Sequence, residues 1–176
     1  MSWTEFFEYI LEDIQYHGGG SFYQKIKVFF LDDRFQLLFN YRLSRFMQSC
    51  KIPLVPMLVQ IVLKYVNMMV FSSIISPYAE LGKRCKFQHP IGIVIGRAVI
   101  GDDVKIFQQV TIGSKGTEGE EMAYPTIGNS VTIYAQSMLL GSIIIEDNVT
   151  IAANSVVIEN IDRDSVYAGS PAKKIK

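Results

Sequence analysis

Residues 127–160 read IGNSVTIYAQSMLLGSIIIEDNVTIAANSVVIEN, and within them Ile127, Ile133, Leu139, Ile145, Ile151 and Val157 stand at strict intervals of six. A second track begins four residues later, Val131, Ser137, Ile143, Val149 and Ser155, with the same interval and only β-branched or small side chains. A six-residue period fits neither an amphipathic helix, which repeats at about 3.6, nor a half-buried strand, which alternates. It fits a triangular solenoid. Three hexads make one coil, and the periodic aliphatic side chain points inward to fill a continuous core. Gly128, Asn129, Asp147 and Asn148 fall where such a coil turns a corner, in conformations that β-branched residues disfavour.

Working upstream, the same comb reappears as Val94, Ile100, Ile106 and Ile112, with Ala98, Val104 and Val110 on the second track. Leu81 and Phe87, with Cys85 beside them, extend it after a one-residue slip. Residues 78–160 then make roughly four coils of ~18 residues each. The comb is broken by the polar segment 114–126, which carries Glu118, Glu120 and Glu121 and reads as a loop over the scaffold.

Before Pro77 the texture is helical. One helix is expected over Trp3–Tyr16, halted by Gly18, Gly19 and Gly20. Another runs over Arg34–Met47, where Phe35, Leu38, Phe39, Arg42, Leu43 and Phe46 recur at helical spacing and Asp32 or Asp33 caps the start. His17, after the first helix, reads as a capping or surface residue. The apolar run Ile52–Ile75 approaches a bilayer span in length, but Gln60, Lys64 and Asn67 line one helical face of it. An amphipathic helix over 57–71 is therefore expected, entered through Pro53 and Pro56. It packs on the fold or a neighbouring subunit, or else attaches peripherally to a membrane surface. The domain expectation is a helical region over 1–74 and a β-solenoid over 75–176.

The chain of 176 residues carries 17 Lys plus Arg against 17 Asp plus Glu, so no long-range field favours a nucleic-acid partner. Two cysteines are too few for a disulfide scaffold, and the acidic N-terminal stretch lacks the basic start of a secretory signal. The expected compartment is the cytoplasm, with the inner membrane face as a variant.

The hexads of form I-G-x-x-V-x, HPIGIVIG at 89–96, QVTIGSKG at 109–116 and YAGSPAKKI at 167–175 resemble the hexapeptide-repeat acyltransferases, which are left-handed parallel β-helices. Within them the chain is similar to the serine acetyltransferase branch, including its short members for cell-surface polysaccharides such as colanic acid. The resemblance implies an acetyl-CoA-dependent O-acetyltransferase that needs no metal and works as a homotrimer with active sites between subunits. His89 matches the catalytic histidine, a general base for an acceptor hydroxyl. Gly113, Ala135 and Ala153 match small positions along the coenzyme groove, and Lys173 and Lys174 match the basic ending that meets the nucleotide phosphates.

Three departures shape the acceptor expectation. Ile74 stands where the family's aspartate orients the histidine, and Gln88 where another aspartate precedes it. The D-R-H-P segment reads Met122–Pro125, so Ala123 and Tyr124 replace an arginine and a histidine that contact the amino-acid substrate. A carboxylate needs a cation, so the expected acceptor is a sugar hydroxyl of a surface polysaccharide or its precursor. Tyr124, Gln88 and Gln108 are its candidate contacts. The alternatives are a serine O-acetyltransferase of cysteine biosynthesis, with Lys83 or Lys115 replacing the arginine, and a catalytically weak trimeric scaffold.

Overall fold

A computed structural model of the protein describes residues 1–18, 20–50, 54–116 and 123–176. Gly19, Ile52, Pro53, Glu118, Glu120, Glu121 and Met122, which carry parts of the expectations above, lie outside the described residues.

Four helices come first. Helix α1 (Trp3–Tyr16) opens on a capping box between Ser2 and Glu5 and closes at His17. Helix α2 (Phe22–Leu31) opens on a second capping box, Ser21 with Gln24. It has no counterpart among the expected helices, because FYQKIKVFFL shows no clean apolar stripe and buries only Val28. Helix α3 (Asp33–Gln48) starts where the Asp32 carboxylate accepts from the Arg34 and Phe35 amides. Helix α4 (Leu54–Phe71) has Pro56 in its first turn. Two of its polar residues bond to α3: the Asn40 amide donates to the buried Asn67 Oδ1 at 2.8 Å, and Gln60 Nε2 donates to Gln48 Oε1 at 3.0 Å, while Lys64 is exposed. Leu58, Val62, Tyr65 and Met69 are left exposed on the other side.

The solenoid follows, one coil after another. Its strands are β1 (Ile74–Ile75), β2 (Glu80–Leu81) and β3 (Lys86–Gln88), then β4 (Val94–Ile95), β5 (Val99–Ile100) and β6 (Lys105–Phe107). Next come β7 (Thr111–Gly113), β8 (Thr126–Ile127) and β9 (Thr132–Ile133), then β10 (Met138–Leu140), β11 (Ile144–Ile145) and β12 (Thr150–Ile151). The chain ends with β13 (Val156–Val157), β14 (Val166–Gly169) and β15 (Ala172–Lys174). Every third strand stacks in parallel on the same face. Face A is β1-β4-β7-β10-β13, face B is β2-β5-β8-β11 continued by the Ile161 bridge to Ile145, and face C is β3-β6-β9-β12-β14 with β15 antiparallel at its end. The architecture is the parallel β-solenoid expected, consistent with the left-handed β-helix, but with five coils where the comb counted four.

Register corrects the comb at one place. Ile95 points inward, 1% exposed, and Val94 outward at 38%. Phe87 and Ile95 are thus eight positions apart where the comb, with its one-residue slip, put seven, and Ile95 and Ile100 only five instead of six. The extra residues form the corner around His89. Elsewhere both tracks are buried as read, including Ser137 and Ser155, whose hydroxyls donate to the Ala152 carbonyl at 2.9 and 2.7 Å.

Between faces B and C the corners lock to one another by side chain to backbone bonds. The Lys83 amide donates to Asp102 Oδ1 at 2.8 Å, that of Asp102 to Asn129 Oδ1 at 2.9 Å, and that of Asn129 to Asp147 Oδ1 at 2.7 Å. Coils this close leave no room for a side chain at Gly101, where a Cβ would sit 2.6 Å from Asn129 Oδ1 and 2.8 Å from the Gly128 backbone. Gly101→Ala is expected to cost about 1–3 kcal/mol, as overpacking does, and urea unfolding would read it as a lower midpoint.

The helices seat on the open end of the first coil. Arg42, 1% exposed, pairs with the buried Asp13 at 3.0 Å. Its other nitrogens donate to the Leu81 carbonyl at 2.6 Å and the Gly82 carbonyl at 2.5 Å. The Tyr41 hydroxyl donates to the Ala79 carbonyl at 2.8 Å. Leu37, Leu38, Tyr41 and Phe71 belong to the same apolar core as the coils.

Candidate active site

The corner between faces C and A forms a continuous edge, and His89 stands on its first rung. Each coil repeats the turn: the Gln109 amide donates to the Ile91 carbonyl at 2.9 Å, Gln136 to Gln108 at 3.1 Å, and Asn154 to Ala135 at 3.0 Å. His89, Gln109, Gln136 and Asn154 all adopt left-handed backbone, φ 51–62°, a region that amide and imidazole side chains tolerate better than β-branched ones. Pro90 and Gly92, with φ 71° at the glycine, carry the enlarged first turn that pushes His89 outward.

The His89 ring is exposed, and no hydrogen bond from another described residue fixes it. Ile74, at the expected position of an orienting carboxylate, has no polar side-chain atom to offer. Gln88 is half-buried beside it. Gln108, one rung away, has a buried Oε1 with no hydrogen-bond partner among the described residues. Ala135 and Ala153 follow on the same edge, and the aromatic pair Phe107 and Tyr134, ring centres 4.8 Å apart, flanks it on face C. No regular sequence signal marked that pair, since each ring simply follows an inward isoleucine. Lys173 and Lys174 lie on β15 at the far end of face C, five rungs from His89, about 24 Å at ~4.8 Å per rung.

Other candidates lie elsewhere. Gly113 ends β7 on the opposite edge of face A, beside Gly141. Tyr124 is there too: its ring covers Gly96, where a Cβ would come within 2.3 Å of Tyr124 Cε1. Within one chain, then, Gly113 and Tyr124 are a full face away from His89. The cations that could replace the missing arginine, Lys83 and Lys115, are also elsewhere. Lys83 is held by Glu8 and Glu12 at 2.7 and 2.9 Å, and Lys115 packs near Gly141.

Two large cavities border the helices. The larger, about 640 Å³, lies between α3, α4 and β1 and contains none of the candidate residues except the bystander Ile74. The second, about 580 Å³, contains His89 and Gln88, with His17, Lys27, Asp33 and Arg34 from the helical region. Cys85 offers no competing nucleophile, because burial pushes its thiol up to about 12.

Residues 124–159 match the family described as bacterial transferase hexapeptide (six repeats). The chain is 44% identical over 103 residues to a serine acetyltransferase of Staphylococcus epidermidis, covering 58% of this chain and 48% of that protein. It is 33% identical over 142 residues to the serine acetyltransferase of Synechococcus elongatus, covering 80% of this chain and 56% of that one. The chain thus spans about half the length of these curated relatives. The fold matches soybean serine acetyltransferase with TM-score 0.83 and 25% identity, over 98% of this chain and 69% of that one. Neisseria gonorrhoeae serine acetyltransferase matches with TM-score 0.81 and 26% identity, over 98% and 68%.

These relatives overturn the polysaccharide expectation. The relatives named here are serine acetyltransferases, in sequence and in structure, and none concerns a glycan. The Ala123 and Tyr124 replacements misled because the loss of one cation was read as the loss of its ligand. Nor do the relatives support attachment of the 57–71 helix to a membrane. The chain thus carries bacterial transferase hexapeptide repeats over 124–159 and is similar in sequence and in fold to serine acetyltransferases.

Proposed function

We propose that the protein transfers the acetyl group of acetyl-CoA to the hydroxyl of L-serine. The carrying observation is the match of nearly the whole chain to serine acetyltransferases at TM-score 0.83, helical region included. His89 acts as the general base. It takes the proton from the serine hydroxyl as that oxygen attacks the thioester carbonyl. The C–S bond then breaks, and the imidazolium returns the proton to the leaving thiolate, giving O-acetyl-L-serine and CoA.

A neighbouring structure is a serine acetyltransferase in complex with CoA. Here the straight edge from His89 past Ala135 and Ala153 to Lys173 and Lys174 suits an elongated ligand: small residues admit the pantetheine arm, and the lysines meet phosphate. Gln108 Oε1, buried and without a hydrogen-bond partner among the described residues, is a polar contact for whatever lies on that edge. On this reading the protein works as a homotrimer, in which threefold packing would bring the Gly113 and Tyr124 edge of one subunit toward the His89 edge of the next. The reaction belongs in the cytoplasm, where acetyl-CoA is available, and uses no metal. The test is formation of O-acetyl-L-serine, identified by NMR, with equimolar release of CoA thiol. Thiol release without that product rejects the assignment.

A further inference from the structure

Ala123 stands where the family's arginine would meet the serine carboxylate, and the cavity around His89 is bordered by other cations. Its helical wall is built from the end of α1, from α2 and from the start of α3. Among the cations that border it, Arg34 is occupied: its Nε and Nη2 donate to the two Asp32 oxygens at 2.9 and 2.7 Å. Lys27 is exposed and forms no ion pair among the described residues.

The wall also has an unused acceptor. His17 is 9% exposed, and its Nδ1 lies 2.8 Å from the Asp13 carbonyl oxygen. A carbonyl only accepts, so Nδ1 carries the proton and Nε2 presents a lone pair. Burial holds the His17 pKa below the ordinary imidazole value, which keeps the ring neutral near pH 7. Nε2 is buried and has no hydrogen-bond partner among the described residues. Such a group is costly to leave unpaired and marks a place where a ligand donor belongs.

We propose that Lys27 binds the carboxylate of the acceptor and that His17 Nε2 accepts a hydrogen bond from its ammonium, while the hydroxyl reaches His89. A free cation, a buried acceptor and a base lining one cavity match the three polar groups of a small α-amino acid. Asp33, on the same wall, adds negative charge for the ammonium. This assignment rests on the serine reading and goes beyond it by moving carboxylate recognition from the 114–126 segment to α2.

The test compares L-serine with L-serinamide, which lacks the carboxylate, for the full chain and for Lys27→Met. The variant is expected to lose about 10- to 100-fold in kcat/KM for L-serine, mostly through KM, the worth of one charge-assisted contact. Its kcat/KM for L-serinamide should change by no more than about twofold, and its KM for acetyl-CoA not at all, with Lys27→Arg restoring part of the loss. For the ammonium, His17→Phe should narrow the preference for L-serine over 3-hydroxypropanoate. Serine turnover that is unchanged in Lys27→Met, or lowered equally for both acceptors, overturns this assignment and leaves the serine reading standing. Absence of serine acetylation by the unmodified protein overturns both.

Discussion

Replacing His89 by alanine is expected to lower turnover about 10²- to 10⁴-fold, the usual worth of a general base, with the protein still folded. The separation of these two effects follows from its position. The ring is exposed, no described neighbour hydrogen-bonds to it, and the coil core passes behind it through Phe87, Ile93 and Ile95. Its left-handed backbone, φ 51°, is less comfortable for alanine than for asparagine. His89→Asn therefore removes the base with less backbone cost and should show the same loss. Near-normal turnover in both variants would remove His89 from the mechanism.

The second large effect lies at the joint between helices and coils. Arg42→Met is expected to destabilise the protein by about 3–5 kcal/mol, because it strands the Asp13 carboxylate in the interior. Asp13 is fully buried and would retain only the Arg84 amide, at 3.2 Å. The Leu81 and Gly82 carbonyls would lose their guanidinium donors as well. Asp13→Leu combined with Arg42→Met should recover much of the loss, since removing both charges also removes their desolvation cost. Thermal unfolding measures this. A single variant that melts within about 2 °C of the parent would mean that the pair does not hold the joint.

The solenoid was legible because its core is one-dimensional: each inward residue meets only its counterparts above and below, so the period survives in the sequence. It became illegible at the His89 corner. There the chain leaves the six-residue step, and Ile95 rather than Val94 turns inward. The enlarged turn exposes His89, so the same departure that defeats the comb builds the site. Helix α2 was missed for a related reason: with only Val28 buried, its pattern carries no core stripe. Arg42 lay on the apolar track of α3 and was recognised as part of a face, but no spacing reveals that its partner is Asp13 on another helix.

The candidate site was half legible. His89, Gln108, Ala135 and Ala153 share one edge because equivalent positions of successive hexads stack. Gly113 and Tyr124 fall on another edge, which the linear comb could not distinguish. His17 and Lys27 carried no motif, and only the packing of α1 and α2 beside β3 brings them to His89. The acceptor was misread at the same point, since a local substitution at Ala123 says nothing about a cation supplied by a distant helix.

The function turns on the identity of the acceptor. Initial rates of CoA thiol release from acetyl-CoA, with L-serine set against neutral oligosaccharides, test it most directly. Saturable release with L-serine is expected at about 1 per second or faster, abolished in His89→Asn, with only background from the oligosaccharides. Background release with L-serine alongside saturable release with an oligosaccharide would contradict the serine assignment.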